Sequence, residues 1–157
     1  MLTYAEIPEA DSFFAGRSDA AHWQNLSDEI KRSALEQATQ ILDSAFDWKG
    51  SPAKENQPLR WPRKDVVDLD SLPVDPETVP ARIKIAAMEQ ALYMTDPLRK
   101  LAENGIKNAS TGAMSLSLDP ARKQELLSPA AITAVRGFGS LRISGKSGAK
   151  CGSVFRG

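Results

Sequence analysis

Six prolines (Pro52, Pro58, Pro62, Pro73, Pro76 and Pro80) crowd one stretch of this 157-residue chain. Each lacks a backbone N–H and fixes its own φ, so residues 49–80 can form neither a long helix nor the interior of a sheet. A loop of that length inside a small domain is usually functional or docked on a partner. The core must therefore come from the segments on either side, with the proline loop laid over it.

Those flanking segments read as helices. Ser27 is a good N-cap, and Asp28 and Glu29 suit the first turn of a helix predicted to run to about Phe46. Ile30, Ala34, Leu35, Ala38, Ile41, Leu42 and Ala45 follow the spacing of one buried face, and Gly50 and Pro52 stop it. A second helix is expected to open at Pro80, to carry Ile83, Ala86, Ala87, Gln90, Ala91 and Met94, and to end before Pro97. Its alanines let a neighbouring helix come close. Leu98 and Leu101 add a further turn up to Asn104-Gly105. Before Ser27, Thr3 is expected to cap a short helix reaching Phe14, with Pro8 in its first turn and Gly16 ending it. Asp19 is expected to cap another that carries Ala21 and Trp23. After residue 105, Met114, Leu116 and Leu118 alternate with small residues, which predicts a short hairpin over Ile106–Leu118. Ser128-Pro129 opens a last helix through Ile132 and Val135. The expected fold is mainly α: a small helical bundle with a short β-hairpin, a long proline-rich loop and an extended C-terminal arm. Residues 1–138 form the body and 139–157 the arm.

The arm, Gly139–Gly157, is rich in glycine and serine and holds four bases (Arg142, Lys146, Lys150 and Arg156) without an acid. Its few apolar residues (Leu141, Ile143, Val154 and Phe155) are spaced like anchors, so it is expected to order on a partner. The chain has 20 bases and 20 acids; with four bases in the arm, 16 remain in the body against all 20 acids. A mildly acidic body with a basic tail argues against a body built to bind nucleic acid. Cys151 is the only cysteine, which excludes an internal disulfide and a cysteine-based zinc site. No apolar run is long enough to span a membrane, and the N-terminus lacks the pattern of a signal peptide. The expected setting is the cytoplasm of the cell that makes the chain.

Little in the sequence points to catalysis. His22 stands beside Trp23 without metal-ligand spacing, and Gly145-Lys146-Ser147 lacks the strand and leading glycine of a phosphate loop. Asp65, Asp68, Asp70 and Asp75 are not spaced as a calcium loop and read as a solvated acidic loop. No enzyme activity, metal or cofactor is expected. The most distinctive short segment is Leu59-Arg60-Trp61-Pro62-Arg63. Its tryptophan, flanked by arginines, could stack on nucleobases. It could equally fill a gap between helices, and this packing role is the expected one. Trp23, Trp48, Trp61 and Pro62 are therefore taken as structural anchors. Arg60, Arg63, Met114 and Leu116 are taken as candidate contacts to a neighbouring subunit or a tail protein.

Several of these pieces together resemble a family found in tailed phages and prophages. They are Tyr4 to Arg17, Ala38 to Asp43 leading into Asp47-Trp48-Lys49-Gly50, Leu59 to Arg63, and Val79-Pro80 opening a helix. The family is described as DnaT-like and single-stranded-DNA-binding, and it is similar in layout to head-completion, or head-to-tail adaptor, proteins. The resemblance covers roughly residues 3–138 and leaves out the arm. It implies a helical bundle with a small hairpin. The adaptor side of it implies a structural virion protein at the portal vertex, in a ring of commonly twelve copies joining the portal to a tail or stopper protein. DNA would then pass through the channel without sequence-specific binding. In that reading Leu141, Arg142, Ile143, Lys146, Lys150, Val154, Phe155 and Arg156 bind the portal. The adaptor is the expected function. The alternative is a single-stranded-DNA-binding replication accessory protein using Arg60, Trp61, Arg63 and the basic arm.

Overall fold

The computed structural model describes residues 2–103 and 126–142. Helix α1 (Ile7–Phe14) leads through a 3-10 turn (Ser18–Ala20) into the single-turn helix α2 (Ala21–Gln24) and the long helix α3 (Asp28–Ala45). Strand β1 (Phe46–Trp48) follows directly, then β2 (Ser51–Pro52) and β3 (Arg63–Lys64). Helix α4 (Ala81–Thr95) precedes α5 (Pro97–Glu103), α6 (Pro129–Val135) and strand β4 (Gly139–Leu141). The described residues are mainly helical, as expected, with short antiparallel strand pairs.

Helix α4 is the axis of the molecule, packed between α3 and α6. Ile83, Ala86, Ala87, Met88, Gln90, Ala91, Leu92 and Thr95 are all buried, so α4 is covered around most of its circumference. Ala86, Ala87 and Ala91 lie at zero exposure, which is how backbones on two sides come close. The core forms two clusters along this axis. In one, Phe14, Trp23, Leu35 and Leu92 meet beneath α1 and α2. In the other, Leu42, Phe46, Trp61, Ile83, Val135 and Phe138 meet beneath the proline loop.

The helix ends follow local chemistry. Ser27 Oγ accepts from the Ile30 N–H, and Ser128 Oγ from that of Ala131, as their capping positions predict. Two expected caps differ. Glu6, not Thr3, caps α1, in a reciprocal box with Glu9, because Pro8 fits the first turn only from there. Asp19 caps no helix; its carboxylate pairs with Arg17, and a 3-10 turn occupies that place.

Strand β1 pairs antiparallel with β4, Phe46 opposite Leu141 and Trp48 opposite Gly139. Strand β2 pairs with β3, Ser51 opposite Lys64. Gly50 turns the chain between β1 and β2 at φ +67°, and a Cβ there would lie 2.2 Å from the Lys64 carbonyl oxygen, so only glycine fits. The hairpin expected over Ile106–Leu118, with Met114 and Leu116, lies outside the described residues. The arm was expected to leave the body at residue 139. Its first residues are instead a strand of the body: Arg142 N–H donates to the Ala45 carbonyl, and its guanidinium to Asp47.

Candidate nucleic-acid interface

The loop between β2 and β3, residues 53–62, is a fixed shape on the outside of the second core cluster. Gln57 clips it: its amide nitrogen donates to the carbonyls of Leu59 and Pro62 (2.8 and 2.9 Å), and its amide oxygen accepts from the Lys54 N–H. Ala53 N–H closes the base of the loop on the Pro62 carbonyl. On the inner side, Arg60 N–H donates to Asp43, and Trp61 N–H to the Tyr4 hydroxyl, which itself donates to Asp43. Burial is the main cause that raises the Asp43 carboxyl above its ordinary value. Burial, and then the bond to Asp43, likewise raise the Tyr4 hydroxyl.

Trp61 is 2% exposed and meets Trp48 and Phe138 edge-on, with ring centroids 5.7 and 5.8 Å away. It follows a packing role: at that exposure almost none of its ring is open to a base, although it contributes to the lining of the groove beside it. Its peptide bond to Pro62 is cis. Trp23 is buried too; its indole N–H donates to Asp11, and Lys31 Nζ stands 5.8 Å over the ring. Trp48 is half-buried beside Phe46.

Arg63 corrects an expectation. The sequence suggests a contact to a neighbouring subunit or a tail protein, yet the guanidinium is buried and turned inward. Three of its nitrogens donate to the carbonyls of Lys49, Gly50 and Arg60, at 2.7, 2.9 and 3.1 Å. Burial, and then the charge of Arg60, lower its basicity. The planar fork of donors is why an arginine stands here: it ties β1, the Gly50 turn and the loop together.

Arg60 stays exposed, with Lys49, Lys54 and Lys64. Over residues 49–64 the chain carries five bases and a single acid, Glu55; over residues 65–77 it carries five acids and no base. The near-neutral total hides this segregation. On the basic side lies an open groove of about 740 Å³, lined by Pro58, Leu59, Trp61, Pro62 and Pro76 with Asn56 and Gln57, and by the charged Lys54, Lys64 and Glu77. The ridge Gln57-Pro58-Leu59 separates it from a second groove of about 500 Å³, where Arg60 stands with Glu55 and Asp43. Lys49, Lys54 and Lys64 were not singled out from the sequence, although their bunching between Trp48 and Asp65 is visible there.

Among the arm residues, Arg142 pairs with Asp47 at an exposed position, and Leu141 is a half-exposed strand residue. Ile143, Lys146, Lys150, Val154, Phe155 and Arg156 lie outside the described residues. His22 Nε2 sits 3.3 Å from both the Leu92 carbonyl and the Thr95 hydroxyl. Among the described residues no cluster of His, Cys, Asp or Glu could hold a metal ion, and no helix is long and apolar enough to cross a membrane.

One protein-family model, described as "Putative DnaT-like ssDNA binding protein", matches residues 3–157, which takes in the arm that the resemblance left out. No curated protein and no solved structure matches the chain. The family match corrects the adaptor expectation: the description attached to these residues is single-stranded-DNA binding, the alternative reading, and not a connector between portal and tail. The chain belongs to the DnaT-like single-stranded-DNA-binding family.

Proposed function

We propose that this protein binds single-stranded DNA, as an accessory to replication, and that the groove over residues 53–64 receives the strand. The observation that carries the reading is the groove itself: apolar Pro58, Leu59, Pro62 and Pro76 line it together with Lys54 and Lys64. A strand needs cations for its phosphates and apolar surface for its unstacked bases, and the groove offers both. The family description supports the same ligand. Trp61 and Arg63, the natural candidates for stacking and phosphate contact, act from below instead. They hold the loop in its shape, and Lys54, Lys64 and Arg60 face the solvent. Because the loop is already clipped by Gln57 and Arg63, little ordering cost falls on binding.

Fluorescence anisotropy of a labelled oligo(dT), titrated over a range of salt, tests this. Binding should weaken linearly in log–log form as salt rises. Replacing Lys54 and Lys64 together by Ala should lower the magnitude of that slope by about 1.4, since each phosphate neutralised on a single strand contributes about 0.7. A slope and an affinity unchanged in the double variant would overturn the groove as the site. Absence of binding at low salt would overturn the function.

A further inference from the structure

We propose that the acidic loop over residues 65–77 is a docking site for the chain's own basic C-terminal segment, residues 143–157. The loop carries Asp65, Asp68, Asp70, Asp75 and Glu77 and no base. It also holds three large aliphatic side chains out of the core: Val67, Leu69 and Leu72, at 49, 54 and 60% exposure. Acids alone would mark only a solvated turn. Aliphatic groups held among them at such exposure mark a surface that gains by being covered.

The surface is preformed. Asp68 Oδ1 accepts from the N–H groups of Asp70 and Leu72, both at 2.9 Å. Asp68 N–H donates back to the Leu72 carbonyl, and Val74 N–H to that of Val66. Leu69 is seated directly over Gly137: a Cβ at that glycine would lie 2.6 Å from a Leu69 methyl. Beside Leu69 the loop overhangs a cavity of about 400 Å³ whose walls include Val74 and Phe138, with Asp68, Asp70 and Arg82 at its sides.

The proposed occupant matches in both respects. Residues 143–157 carry Lys146, Lys150 and Arg156 without an acid, and the apolar Ile143, Val154 and Phe155. Their point of departure is fixed as well. Arg142 is four residues beyond Phe138, which walls the cavity, and that stretch of strand spans about 13 Å. Residues 143–157 can reach at most about 50 Å, several times that span. A tether this short holds the segment at an effective concentration on the order of millimolar, so docking within one chain outcompetes docking between chains at micromolar protein. The same bases would attract a DNA strand, so the loop and DNA would compete for the segment; that consequence rests on the reading given above, whereas the docking does not.

Cys151 lies inside the segment and serves as the probe. In the full chain carrying Ser71→Cys, mild oxidation without DNA should form a disulfide to Cys151 within one molecule. The rate should be about ten-fold above that of the Leu98→Cys chain, whose cysteine stands at a more exposed site (72%) outside the acidic loop. Raising salt to ~0.5 M, or adding Asp68→Asn, Asp70→Asn and Asp75→Asn, should bring the two rates together. Equal rates at low salt, or disulfides formed between chains instead of within one, would overturn the proposal. If the triple variant fails to fold, the salt series on Ser71→Cys alone decides. Loss of oligo(dT) binding would leave this result untouched.

Discussion

Two neighbouring residues show how far a sequence pattern can point toward binding while the side chains do something else. Trp61 between two arginines has the composition of a base-stacking platform, yet its ring fills the space between Trp48 and Phe138. Trp61→Ala should cost about 3–5 kcal/mol in chemical denaturation, the range for deleting a large buried ring. An unchanged denaturation midpoint would mean the ring is not packed as described. Arg63 was legible as a cation and not as a clamp, because its partners are main-chain carbonyls on β1 and the Gly50 turn that no side-chain pattern announces. Arg63→Lys keeps the charge and loses the fork. It should lower stability by roughly 1–3 kcal/mol, since hydrogen bonds to a charged group are worth about 1.5–3 kcal/mol each and lysine can replace only some of them.

Among the elements, the helices were the legible part. Ser27 and Ser128 cap where their side-chain oxygens predict, and Pro97 marks the end of α4. Strand pairing was hidden, because β1 and β4 are three residues each and lie far apart in sequence, so neither shows an alternation long enough to read. The cap of α1 was placed a few residues too early, and its chemistry carries a pH signature. Glu9 is held below its ordinary value of 4.5, first by the hydrogen bond from Lys84 and then by that from the Glu6 N–H. A depressed carboxyl stabilises the fold above that ordinary value and loses the effect as pH falls through its folded-state value. Thermal melts of the wild type should therefore decline on acidification more than those of Glu9→Gln. The difference should stay under about 1 kcal/mol because the pair is largely exposed. Gln90 does for α4 and α6 what Arg63 does for the loop. It is fully buried, donates to the Leu126 carbonyl and accepts from the Ser128 N–H, which fixes where α6 begins. Gln90→Leu strands both groups and should destabilise by about 1–3 kcal/mol, measured by the same denaturation. No loss would mean that α6 is positioned by its apolar face alone.

Across the whole molecule, a net charge near zero hides how charge is distributed locally. Equal numbers of acids and bases, and a body slightly acidic overall, argued against a nucleic-acid partner. Around Asp65 the charges are kept apart instead: mostly bases over residues 49–64, only acids over residues 65–77. A strand of DNA meets the local field and not the sum, because charges beyond about 10 Å are screened at ordinary salt. Lys54 and Lys64 become neighbours of one groove only once β2 and β3 pair and Gln57 closes the loop between them, and no linear spacing states that. Whether DNA occupies this groove is decided by amide NMR of the isotopically labelled protein during titration with oligo(dT) at low salt. Shifts should concentrate at residues 53–64 and at Glu77, with the α1–α2 end of the molecule quiet. Binding that leaves residues 53–64 unmoved would place the strand elsewhere on the molecule and overturn the groove as its site.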